Sequence, residues 1–282
     1  MAMPLSIFLL IIFSGFLHAC WNSLAKYVGK NATILWLSMS LGGWLGFPYL
    51  ILSNTSFSWL SLLPWGLLCG FSHSIYYVVL THAYSRFQLS TIYPISRGLG
   101  IAITSLLSLF YFNDTLTPLG GIGIFFVIFG IAIFYINASS ILKNYHALKW
   151  GVLVGFTIAG YLITDYLALR QLPVSQLVFI IFIVMSILLL PYLLMYRRSD
   201  LLETLLHKKR VAVLIGVLSF SSYFLLLWVL KISPLGYVVA LRETSIIFAG
   251  LIAWFFLKEP FSVTKWLAIT IISIGAIIIK IS

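Results

Sequence analysis

The chain alternates blocks of about 20 apolar residues with short polar breaks, and that is the length a helix needs to cross the hydrocarbon of a bilayer. The blocks fall near residues 4–25, 33–53, 62–84, 88–111, 117–139, 150–170, 173–196, 211–231, 235–257 and 263–281. Inside lipid every backbone N–H and C=O must be satisfied within the protein, so only helices or closed barrels can span it. Continuous apolar runs, rather than alternating ones, predict helices. The expected fold class is therefore all-α and polytopic, with ten transmembrane helices. Hydrophobic residues make up 62% of the chain and charged ones 8%. A soluble domain carries about 25% charged residues, so most of this surface must lie in lipid.

A net charge of +11 does not indicate nucleic-acid binding, because the positives are scattered singly between apolar blocks. Cys20 and Cys69 sit within apolar segments and offer neither a metal spacing nor a disulfide framework. "LHAC" at residues 17–20 has the look of a lipoprotein cleavage site, but no Lys or Arg precedes it. Residues 4–25 are therefore expected to stay as the first helix.

The two halves are similar. "GFLHACWNSLAK" from Gly15 aligns with "GFTIAGYLITDY" from Gly155 at an offset of 140. Further on, an offset of 145 pairs Arg97 with Arg242, Asp114 with Glu259 and Gly130 with Gly275. The expected organisation is a five-helix repeat over 1–140 and a second over 141–282. Five is odd, so the second copy enters the membrane inverted, an arrangement transporters use with a site at the repeat interface. Loop charge sets orientation. Twelve of the 17 positive residues fall on one side, five of them in 197–210, and only Arg170, Lys231 and Lys280 on the other. The richer side is expected in the cytoplasm, with both termini outside.

Several motifs resemble the drug/metabolite transporter superfamily, in its EamA-like branch. They are "HACWN" with Lys26 in the first span, "HSIYYVVLTHAY" in the third, "LSTIYPISRG" in the fourth and "ND.LTP..G" at 113–121. Their "HA.WN", "H..Y" and "YPI.RG" patterns resemble, more narrowly, the phosphonate-utilisation-associated membrane proteins. The resemblance covers nearly the whole chain. It implies ten helices in two inverted repeats, moving a small organic solute by alternating access. Many relatives keep both termini cytoplasmic, whereas the loop charges here argue the reverse. A bacterial inner membrane is the expected location.

Within the fourth block, Ser90, Tyr93, Arg97, Gly100, Thr104 and Ser108 share one helical face. Arg97 lies about nine residues from the span's start, roughly 13 Å deep at the helical rise per residue. Intramembrane ionisable residues are functional candidates. Arg97 is expected to meet Glu243, which follows its repeat mate Arg242, either as a structural pair or with one guanidinium free to hold substrate. A planar, permanently charged fork suits a carboxylate, phosphate or phosphonate. Pro94, three residues before Arg97, reads either as a hinge or as a tolerated membrane proline. Asp165 reads as a proton carrier or as a hydrogen-bonded residue near an aqueous vestibule, with Glu243 as a second coupling acid. The expected pocket adds Tyr93 to His18, Trp21 and Asn22 on the first span and to His73, Tyr77 and Tyr84 on the third, with Tyr161 and Tyr223. These offer stacking faces and hydrogen bonds, or else plain packing.

Asp114 and Glu259 are expected to support helix N-termini, and Gly120, Gly121, Gly123, Gly130 and Gly275 to permit close helix approach. Segment 197–210 reads as a solvated loop touching anionic headgroups. The expected function is secondary transport of a small polar or anionic metabolite, with proton coupling as one option. A flippase for a lipid or lipid-linked headgroup is the alternative. An enzyme is not expected, since no activated nucleophile is evident; nor are ATP, a metal or a cofactor, since no GxxxxGK[ST] or HExxH occurs. The partners expected are the solute and the lipid bilayer. A monomer is adequate and a dimer compatible.

Overall fold

The computed structural model describes residues 3–28, 32–52, 59–87, 89–135, 145–256, 258 and 261–282. For Lys26, Trp59, Leu89, Ser90 and Thr91 it describes the backbone alone. Among these residues there are helices and no strands. The helices are α1 (Leu5–Tyr27), α2 (Ala32–Leu45), α3 (Phe47–Leu52), α4 (Trp59–Arg86), α5 (Leu89–Phe110), α6 (Pro118–Tyr135), α7 (Tyr145–Leu169), α8 (Val174–Tyr196), α9 (Arg198–His207), α10 (Lys209–Leu230), α11 (Leu235–Arg242), α12 (Ser245–Phe255) and α13 (Val263–Ile281). Ten stretches are long and apolar enough to cross a membrane; α2 with α3, and α11 with α12, each make one span. Large apolar side chains such as Leu60, Phe110, Phe125 and Leu214 stay exposed. Lipid, not water, is the solvent such a surface fits.

The main span pairings survive exchanging each span with the one five further on. The fifth and tenth spans, α6 and α13, form the closest pair, the second packs on the seventh and the fourth on the ninth. α1 packs on α10 and α12, and α7 correspondingly on α4 and α5. Local details recur at the same offset. The non-glycine residues with positive φ among those described are Asn113 and Lys258, both at 55°. Thr117 caps α6 by accepting from Gly120 N–H at 3.0 Å, and Ser262 caps α13 by accepting from Lys265 N–H at 3.3 Å.

Small residues set the closest approach. A Cβ on Gly275 would stand 2.8 Å from the Gly123 carbonyl, and one on Gly130 would stand 3.1 Å from that of Ala268. Gly123 is equally tight against Gly275, while Gly120 fits beneath the Tyr237 hydroxyl. Gly121, expected in the same role, has nothing within 4 Å; it faces outward on α6.

Two expectations change. Segment 197–210 is not merely a solvated loop, because 198–207 forms α9. Leu201 and Thr204, three residues apart, are buried beneath it, and the Thr204 and Thr33 hydroxyls lie 2.7 Å apart. A seam at helical spacing is enough to fold the polar stretch onto α2. Asp114 does support a helix N-terminus, but the helix is α11 rather than the adjacent α6. Its Oδ2 accepts from Leu235 N–H at 3.0 Å, and Tyr166 donates to Oδ1 at 2.7 Å. An acid there complements the helix dipole and ties the fourth-to-fifth connection to the ninth span. Glu259 and the side chain of Ser90 lie outside the described residues.

Candidate functional site

The site forms where α5, α7 and α11 converge. Ile92, Ser96, Gly100, Thr104 and Ser108 of α5 are buried, so the polar face does turn into the bundle, and α5 runs uninterrupted through Pro94. Its mate, the ninth span, is the one that breaks. After α11, Glu243 and Thr244 donate to the carbonyls of Ala240 and Leu241, both at 3.1 Å. These are three-residue steps, tighter than α-helical ones. Gly15 of α1 packs on the break, where a Cβ would lie 3.2 Å from Thr244 Oγ1 and 3.3 Å from the Arg242 carbonyl.

The break sends Arg242 and Glu243 in different directions. Glu243 Oε1 accepts from Arg97 Nη1 at 3.1 Å, with 4% and 12% of the two side chains exposed. The Arg97 guanidinium also lies 5.2 Å from the Tyr93 ring centroid, and Tyr93 packs against Tyr135. Arg242 is 7% exposed and turns toward α1 and α10. Its Nη2 donates to His18 Nδ1 at 3.2 Å, and its guanidinium lies 5.7 Å from the Tyr223 ring. A guanidinium can only donate, so His18 meets it as a neutral imidazole with its lone pair on Nδ1. Among the described residues no carboxylate lies within 4.0 Å of Arg242. Its Nε and the Glu243 Oε2 are both buried without a hydrogen-bond partner.

These groups face a constricted cavity with room for about one water molecule. Arg97 and Ile101 line it from α5, Ile158, Tyr161 and Leu162 from α7, and Val239, Arg242 and Glu243 from the ninth span. Apolar walls around a few convergent charges are the usual make-up of a small-molecule site.

Behind Tyr161 lies a second polar cluster. Asp165 is fully buried and hydrogen-bonded. Its Oδ2 stands 2.9 Å from His73 Nε2 and accepts from the Tyr223 hydroxyl. The Tyr223 oxygen is in turn 2.9 Å from His73 Nε2. The His73 ring lies 4.3 Å from the Tyr161 ring, and Tyr161 5.0 Å from Tyr76.

Of the residues chosen from sequence, Tyr93, Arg97, Glu243, Arg242, His18, Tyr223, Asp165, His73 and Tyr161 thus form one connected set. Trp21 touches it through an edge contact with His18 at 5.0 Å. Asn22 and Tyr77 do not join it. Asn22 is exposed and donates to the His18 carbonyl one turn back. Tyr77 donates to the Ala32 carbonyl at the start of α2. Tyr76, Tyr135 and the apolar walls went unchosen. Tyr76 sits three residues after His73 and Tyr77 four, both near one helical face; only the neighbouring helices decide between them.

Among the described residues, ten membrane-length helical spans, three of them lining a charged cavity, define an all-α, multi-pass integral membrane protein. Residues 146–281 match the model of the EamA-like transporter family, in agreement with the superfamily resemblance read from the motifs. One solved crystal structure superposes with a TM-score of 0.74 over 97% of this chain and 96% of its own, at 14% identity, and so shares the fold. No curated protein matches the chain.

Proposed function

We propose that the protein is a secondary transporter that carries a small organic anion across the membrane by alternating access between two inverted repeats, residues 1–140 and 141–282. The recurrence of packing, caps and positive φ at one offset supports the repeat. The observation that carries the anion is Arg242. It is a buried cation on the cavity wall without a carboxylate among the described residues, and its Nε lacks any partner. Desolvating a charge without compensation is costly, and a carboxylate, phosphate or phosphonate would supply the missing acceptors. Arg97, by contrast, is already neutralised by Glu243. The constricted cavity is an occluded stage of the cycle, and movement of the ninth span about its break at Glu243–Thr244 admits the solute. Of the two candidate coupling acids, Glu243 is held by Arg97, so Asp165 is the one through which a proton gradient would act.

A stability screen of the purified chain tests this, because binding at 100 times the dissociation constant stabilises by about 2.7 kcal/mol. Small organic anions should raise the melting temperature, and neutral analogues should not. Arg242→Ala should lose that shift and abolish transport at normal expression. An anion shift that survives in Arg242→Ala, or stabilisation by cations alone, would refute the reading.

A further inference from the structure

We propose that His73 and Asp165, linked through Tyr223 to Arg242, form a proton site separate from the anion site, so that each singly charged anion crosses with one proton and cotransport is electroneutral. This rests on Arg242 as the anion holder.

The argument is a charge count over the buried groups. Arg97 and Glu243 cancel at 3.1 Å. Arg242 contributes one positive charge and Asp165 one negative charge. Asp165 has no Arg or Lys within 4.0 Å among the described residues; its ion-pair contact is His73, and its Oδ1 has no hydrogen-bond partner. Among the described residues these buried charges therefore balance with a neutral His73. A monovalent anion on Arg242 leaves it one charge negative in low dielectric, a penalty that one proton removes. Glu243 is the poorer acceptor, since protonating it would strand Arg97 as a buried, unpaired cation.

The proton comes from water and is shared by the pair, as imidazolium facing carboxylate or as carboxylic acid facing neutral imidazole. Either form carries the same total charge. The groups facing it are few. α4 contributes the Cys69 thiol beside Asp165 and Tyr76, α7 contributes Tyr161, and α10 contributes Tyr223. α8 presents the apolar Phe182 ring against Tyr223. Arg242 lies beyond Tyr223, whose ring is 5.7 Å from the guanidinium while its hydroxyl holds Asp165. One side chain therefore touches both sites. The cluster also departs from the repeat, for Asp165 aligns with Ala25.

Calorimetry on the purified full chain, with acetate, benzoate and methanesulfonate as probes, measures the protons taken up. These anions keep a constant charge near neutral pH. Running each titration in buffers of different ionisation enthalpy should give about one proton taken up per anion bound. Affinity should then tighten by up to tenfold per pH unit on acidification, as one linked proton requires. Asp165→Asn and His73→Gln should bring the proton number close to zero and flatten that dependence. Tyr223→Phe, which keeps the ring, should move its midpoint. Binding without proton uptake, or a dependence unchanged in all three variants, overturns the proton site alone. No binding heat from any probe at any pH overturns the anion reading and this inference with it.

Discussion

Removing either member of the Arg97–Glu243 pair should cost far more than removing both. The two side chains are 12% and 4% exposed and 3.1 Å apart, so solvent screens them little. At an effective dielectric near 20 their attraction is about 5 kcal/mol, and the desolvation of both charges offsets most of it in the intact protein. Arg97→Ala or Glu243→Ala leaves the partner charged and buried, which should cost about 3–5 kcal/mol. In the double variant neither charge remains, so its cost should not exceed that of either single change. The resulting coupling is at least about 3 kcal/mol. Reversible denaturant unfolding of the four purified proteins measures it. Single costs that add to within about 0.5 kcal/mol would refute the reasoning, because a pair without coupling is not compensating buried charge. Exchanging the two residues, Arg97→Glu with Glu243→Arg, should restore assembly, and should restore transport as well if neither touches the solute.

Gly275→Ala places a methyl group 2.8 Å from the Gly123 carbonyl; forcing α6 and α13 apart should lower stability by about 1–3 kcal/mol, whereas Gly121→Ala, in open space, should lower the melting temperature little. Loop charge predicts a cytoplasmic α9, and on that prediction Ser199→Cys should resist impermeant maleimide added outside intact cells and react once the membrane is opened. Ready labelling from outside would reverse the orientation.

Solvent and helix count were legible from residue types alone, because any run of about 20 apolar residues must satisfy its backbone internally once it is in lipid. The inward face of α5 was legible too, since Arg97, Gly100, Thr104 and Ser108 recur at helical spacing among residues otherwise suited to lipid. The pairing of Arg97 with Glu243 followed from placing mirrored charges at similar depth. Asp165 was visible as an acid among apolar neighbours. Its binding to His73 was not, because 92 residues separate the two and periodicity carries no information across such a gap.

The chain's pattern alone therefore settled that it spans a membrane as ten helices and which rare charges face inward. Local chemistry dictates both, through the cost of unpaired polar groups in hydrocarbon. Tertiary packing decided the rest. It placed the break after Arg242 rather than at Pro94, because α1 presses Gly15 against that turn and hydrogen bonds to Ala240 and Leu241 tighten it. Among the described residues it left Arg242 without a carboxylate while giving one to Arg97. It also chose Tyr76 over Tyr77, since two neighbours on one helical face differ only in which helix stands opposite.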